Sequence, residues 1–236
     1  MANENKQEYH RASNAVVYGG LIMFIGGIFL WISFMSPYWL ESYDGTFREF
    51  KSMGIWQYCF EDFRYPYYQF DKLFNGCHAI YSTEYHVIRE WLLPAWLLII
   101  QIFCTLAFLL SFFAQGVIAL TLVRIPLRLV LRYEWMMSSV ASVCSATSAA
   151  LLFFSVLIFP TQCWRRDWLM YPKMNHLSWS WYFAIVALIL HAVAALMLYL
   201  DACQGYKMRK ESRNLVVQMQ PNPRSNQSSL HRMGYI

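Results

Sequence analysis

Four long apolar runs divide the chain, at 15–36, 92–122, 136–159 and 181–200, and none contains Asp, Glu, Lys or Arg. About 20 helical residues cross the roughly 30 Å of a bilayer's hydrocarbon core, so each run predicts a transmembrane helix. The second run exceeds that length, which predicts a span that tilts or projects from the bilayer. The first is too long for a signal-peptide core and no small-residue cleavage site follows it, so it reads as an uncleaved span. Between the runs lie an N-terminal segment at 1–14, a large loop at 37–91, a link at 123–135, a second loop at 160–180 and a tail at 201–236.

Composition agrees with a membrane setting. Of the 236 residues 58% are hydrophobic and only 14% charged, which is lean for a water-facing surface. Ten Trp and sixteen Tyr suit the two membrane interfaces. The net charge of +5 is unevenly placed, which argues for membrane topology and against nucleic acid. Arg124, Arg128 and Arg132 outweigh Glu134 in the link, and Lys207, Arg209, Lys210 and Arg213 crowd the start of the tail. The positive-inside rule therefore puts the link and both termini in the cytoplasm. The loop at 37–91 holds eight acidic residues against five basic ones and lies outside. In the second loop Arg165, Arg166 and Lys173 outweigh Asp167, but an even number of spans forces it onto the same side.

Small and polar residues inside the spans predict close helix packing. Gly19, Gly20, Gly26 and Gly27 form pairs seven residues apart, about two turns, which places them on one face open to a neighbouring helix. The third span is rich in Ser and Ala and is expected to be the most buried. Gln101, Gln115 and His191 are expected to make interhelical hydrogen bonds. The tail beyond Ser212 has too little apolar content to pack and is expected to be disordered.

In the first loop, 38–43 and 46–60 read as strands, with Asp44-Gly45 as a hairpin signal between them. Cys59, Cys77 and Cys163 face the oxidising side, where three cysteines allow one bridge. Cys59 and Cys77 share the proposed sheet, and a bridge there closes a loop worth roughly 3 kcal/mol. Cys163 is then the free thiol, while Cys104 and Cys144 are packing residues inside spans.

Trp39, the triplet Gly54-Ile55-Trp56, Cys59 and Cys77 resemble the claudin superfamily signature, and Arg89 before the second span matches as well. The resemblance covers about residues 15 to 205. It implies a membrane all-α four-helix bundle bearing a small extracellular antiparallel β-sheet with strands from both outer loops. Ile55 stands where Leu is usual, and the 17 residues between Cys59 and Cys77 exceed the vertebrate spacing. The chain is thus most similar to divergent invertebrate claudin-like proteins of septate junctions.

By that resemblance the chain is expected to be a structural component of epithelial cell–cell junctions. Such a component pairs with other claudin-like proteins within one membrane and across the intercellular space, and limits paracellular diffusion. The alternative is an auxiliary subunit of a channel or receptor. Trp39 and Trp56 are expected to anchor the sheet at the headgroup layer, and the aromatic insertion at 60–74 to form a contact surface. Tyr235 and Ile236, with a terminal carboxylate, fit a PDZ groove, and Cys203 fits a juxtamembrane palmitoylation site. His78, His86 and Glu84 read as surface residues rather than a metal site. No phosphate loop, nucleophile elbow or zinc-binding His pair is present in the sequence, so neither an enzyme nor a cofactor is expected.

Overall fold

The computed structural model describes residues 13–43, 49–65, 72–123, 127–165, 168–169 and 172–219, with backbone alone at 127–132 and 215–219. Helix α1 (Asn14–Met35) starts where the Ser13 hydroxyl accepts the Ala15 N–H and ends before Pro37. Strands β1 (Leu40–Ser42), β2 (Phe50–Met53), β3 (Gln57–Arg64) and β4 (Leu73–Ala79) follow, then the single turn α2 (Arg89–Leu92). Pro94 cannot donate to a helix, so the chain breaks there and restarts as α3 (Ala95–Val123). After α4 (Leu127–Gln162), β5 (Asn175–Leu177) leads directly into α5 (Trp179–Met219).

Four of these helices are long and apolar enough to cross a membrane. Their outward faces carry Leu21, Phe112, Val143 and Leu196, all more than half exposed, as a lipid-facing surface requires. The helices reach beyond the apolar runs. Within the range 123–135, α4 begins at Leu127 and bends at Tyr133. The tail is helical from 201 to 219, not disordered, because α5 continues unbroken through the charged segment Lys207–Arg213. Residues 220–236 lie outside the described set.

The glycine pairs of α1 serve two neighbours rather than one. A Cβ at Gly19 or Gly26 would crowd Leu198 or His191 on α5, whereas one at Gly20 or Gly27 would run into Ile118 or Gln115 on α3. On α4, buried Ser138, Ala141, Ser142, Ser145, Ser148 and Ala149 form a stripe. Ser142 and Ser145 donate across to the Ala195 and His191 carbonyls of α5 (2.8 and 3.0 Å), and Ser148 donates to the Ala107 carbonyl of α3 (2.9 Å). Over an 18-residue apolar stretch of each span, α3 and α4 are both 39% buried against 33% for α1 and α5, so α4 is not alone as the most buried.

The strands form one antiparallel sheet in the order β4-β3-β2-β1-β5. Pairing of β1 with β5, Glu41 opposite His176, joins the two loops. The expected strand at 46–60 is interrupted at Gly54, and the Asp44-Gly45 turn lies outside the described residues. The sheet stands at one end of the bundle, its inner face merged with the upper spans in one core running from Leu30 and Leu152 to Phe60 and Phe74.

Candidate functional site

The sheet is fastened to the bundle through the motif residues. Trp39 is 1% exposed, its indole donates to the Ser33 carbonyl (2.9 Å), and its ring meets Phe159 edge-on at 5.1 Å. It is therefore a plug between sheet and spans, not a headgroup anchor. Ser33 and Ser180 bond reciprocally, each hydroxyl donating to the other's carbonyl (2.8 and 3.2 Å), which ties α1 to α5 beneath it. Ser178 donates its N–H to the Trp39 carbonyl and its hydroxyl to Glu41 (2.7 Å). Sequence reasoning missed these serines, since nothing in their local context separates them from ordinary loop serines.

Gly54 fits where the β2–β3 corner crosses the end of α1, and a Cβ there would strike the Ser36 carbonyl and the Pro37 backbone. Gln101 on α3 donates to the Ile55 carbonyl (2.8 Å) and accepts from the Tyr81 hydroxyl. The side chain of Ile55 is buried, and Trp56 is half-buried against Phe34 and Tyr81. Trp56 thus packs on the top of the bundle. Arg89, half-buried, opens α2 and accepts the Leu93 N–H through its carbonyl.

Cys59 and Cys77 are directly opposite each other on β3 and β4 and are joined by a disulfide. Cys163 is a buried free thiol whose burial pushes its pKa up to about 12. Beneath the bridge the aromatic insertion turns inward. Phe60, Phe63 and Phe74 are all below 4% exposed, and Phe63 stacks on Phe60 (4.6 Å) and Trp91 (5.7 Å). These rings form an internal pad, contrary to the contact surface expected of them. Pro66, Tyr67, Tyr68 and Phe70 lie outside the described residues. Tyr58 and Tyr85, unnoticed in the sequence, pin the pad: Tyr58 donates to the Leu92 carbonyl (2.8 Å) and Tyr85 to the Tyr58 carbonyl (3.0 Å). Burial holds both phenols well above their ordinary pKa.

The outer face of the sheet carries a shallow trough of about 420 Å³ lined by Tyr38, the Cys59–Cys77 bridge, Glu41, Lys51, Glu61 and Asn75. Lys51 and Glu61 pair across β2 and β3 with both side chains at least half exposed. Among the described residues no three His, Cys, Asp or Glu gather as a metal would need.

Comparison with known families gives this architecture its place. The family model described as PMP-22/EMP/MP20/Claudin tight junction matches residues 24–200. The chain belongs to the claudin superfamily. The match takes in α1 from Phe24 onward, the spans of α3 and α4, α5 as far as Leu200, both connections at the sheet end and every motif residue from Trp39 to Arg89. No individual curated protein matches the chain. Among the remaining candidate residues, Cys203 lies half-buried on α5 beyond the apolar run, and Tyr235 and Ile236 lie outside the described residues.

Proposed function

We propose that this claudin-superfamily chain is a structural, non-enzymatic component of epithelial cell–cell junctions of the septate or tight type. Its termini are cytoplasmic, and its sheet faces the intercellular space and helps limit paracellular diffusion. The observation that carries this reading is the disulfide-closed sheet locked to the bundle through Trp39, Ser33 and Ser180. Such attachment presents the outer trough and strand edges at a fixed height and angle above the membrane. That is what contacts within one membrane and with the next cell require, and preorganisation of this kind lowers the cost of association. The long Cys59–Cys77 segment supports the septate kind within the superfamily.

Neighbouring claudin-like chains are the proposed partners in both directions, with surrounding lipid, and with a PDZ scaffold at Tyr235 and Ile236. Cys203, beside Lys207 and Arg209, is a proposed acylation site. The test is tracer permeability across an epithelium lacking the protein, with the protein localised in the same tissue. Raised permeability and enrichment at lateral contacts are expected. Normal permeability with the protein following a channel or receptor elsewhere favours an auxiliary-subunit role.

A further inference from the structure

Helices α1 and α3 leave a groove of about 280 Å³ on the lipid-facing surface, walled by Phe24, Ile28, Phe108 and Phe112 with Ser111 and Gln115 at its floor. Phe112 is 71% exposed, more than any other large apolar side chain among the described residues. The Gln115 amide lies in the notch left by Gly27, where a Cβ would collide with it. One of its N–H groups donates to the Ser111 hydroxyl (3.2 Å). Ser111 in turn bonds His191 Nε2 (2.6 Å), and His191 Nδ1 donates to the Ala187 carbonyl (2.7 Å). Because a carbonyl can only accept, Nδ1 carries the proton and Nε2 takes the Ser111 hydrogen. The relay is complete inward and open outward: the Gln115 carbonyl and second N–H have no partner among the described residues.

Gly27 lies near the middle of α1, so this amide is at depth in the hydrocarbon. Acyl chains offer neither donors nor acceptors there, and an unpaired polar group in that medium is costly. An acyl chain could fill the groove and would leave the amide unsatisfied. What remains free is one donor and one acceptor on the same group, which is self-complementary about a twofold axis. We propose that a second copy of this chain occupies the α1–α3 groove, the two Gln115 amides exchanging reciprocal hydrogen bonds between the spans. This rests on the side-by-side assembly in the proposed function and assigns its surface.

The test uses the full chain in phosphatidylcholine liposomes, with energy transfer between donor- and acceptor-tagged copies measured as lipid dilutes the protein. Gln115→Leu is expected to weaken pairing about tenfold, the loss of two interhelical hydrogen bonds. A second measurement keeps the native amide. Phe112→Cys should oxidise to a covalent dimer well above the wild-type background, whereas Leu196→Cys, lipid-facing but on α5, should not. Undiminished transfer in Gln115→Leu, or equal cross-linking from the two cysteine variants, overturns the proposal. Capture of a different protein by Phe112→Cys in cell membranes, with no captured second copy, overturns it as well. A Gln115→Leu chain that no longer pairs in liposomes yet still restores the tracer barrier would uphold this pairing and separate it from the junction role. Loss of the junction role itself would show in the tracer assay with wild-type chain.

Discussion

Replacing Gly54 by Ala adds one methyl group at the point where the sheet rests on the first span. That methyl would meet the Ser36 carbonyl and approach the Pro37 Cα to 2.8 Å. Both obstacles are backbone, and Ser36 is itself held by its N–H on the Ile32 carbonyl (3.1 Å). Neither can swing aside as a side chain would. Relief must come from lifting the β2–β3 corner, which draws Met53 away from the Trp39 N–H (2.8 Å) and Ile55 away from Gln101 (2.8 Å). Overpacking a tight site costs about 1–3 kcal/mol, and each strained buried hydrogen bond adds about 1 kcal/mol. The expected loss is therefore about 3–5 kcal/mol, a large share of the roughly 5–15 kcal/mol that holds a folded domain together.

Chemical unfolding of the full chain in lipid–detergent micelles, followed by Trp fluorescence, measures this loss, and the fraction reaching the cell surface reports it in cells. Gly116→Ala is the matched control, since a Cβ there meets nothing within 4 Å. It should be neutral or stabilising by up to about 1 kcal/mol through helix propensity. If Gly54→Ala stays within about 1 kcal/mol of wild type and reaches the surface normally, the corner is not the rigid joint described above.

Cys59→Ser or Cys77→Ser should cost about 2–5 kcal/mol and retain the chain in the endoplasmic reticulum, as pulse-chase maturation would show. The Cys163 thiol, buried and raised to about 12, should resist maleimide at pH 7 in the folded chain and react only after unfolding. Tags placed before Met1 and after Ile236 should both be protected from external protease in intact cells; cleavage of either sinks the cytoplasmic placement of the termini. One extra residue after Ile236 should abolish scaffold binding as fully as deletion of the last three, read as loss of junctional enrichment with normal membrane insertion.

The spans were legible because hydrophobic length reports directly on membrane crossing, and the Cys59–Cys77 pairing because both residues fell within one expected sheet. What stayed hidden was set by tertiary partners. Trp39 looks like any interfacial Trp until Phe159 and the Ser33 carbonyl close around it. The rings at Phe60, Phe63 and Phe74 form too aromatic a run for alternation to say which face is covered, and a register shift between Phe60 and Phe63 puts both inward. Helix α5 runs past its apolar stretch because Leu198, Ala202 and the Trp135–Tyr206 contact continue its packing on α1 and α4. Window hydropathy does not register such contacts.

All four spans reach the sheet by directed contacts. Helix α1 meets it through the Ser33 carbonyl on the Trp39 indole, α5 through the Ser180 N–H on the Tyr38 carbonyl, α3 through Gln101 on Ile55, and α4 through Phe159 beneath the Trp39 ring. A sheet held at four points has little freedom to tilt independently, so the orientation of the outer surface is inherited from the bundle. Two sheets above a pair of bundles would then stand at a spacing set inside the bilayer. Under the proposed Gln115 pairing, a change at the α1–α3 groove alters that spacing without touching an outer residue. Weakened junctional contacts in Gln115→Leu, with the Cys59–Cys77 bridge and surface delivery intact, would be the consequence of this coupling.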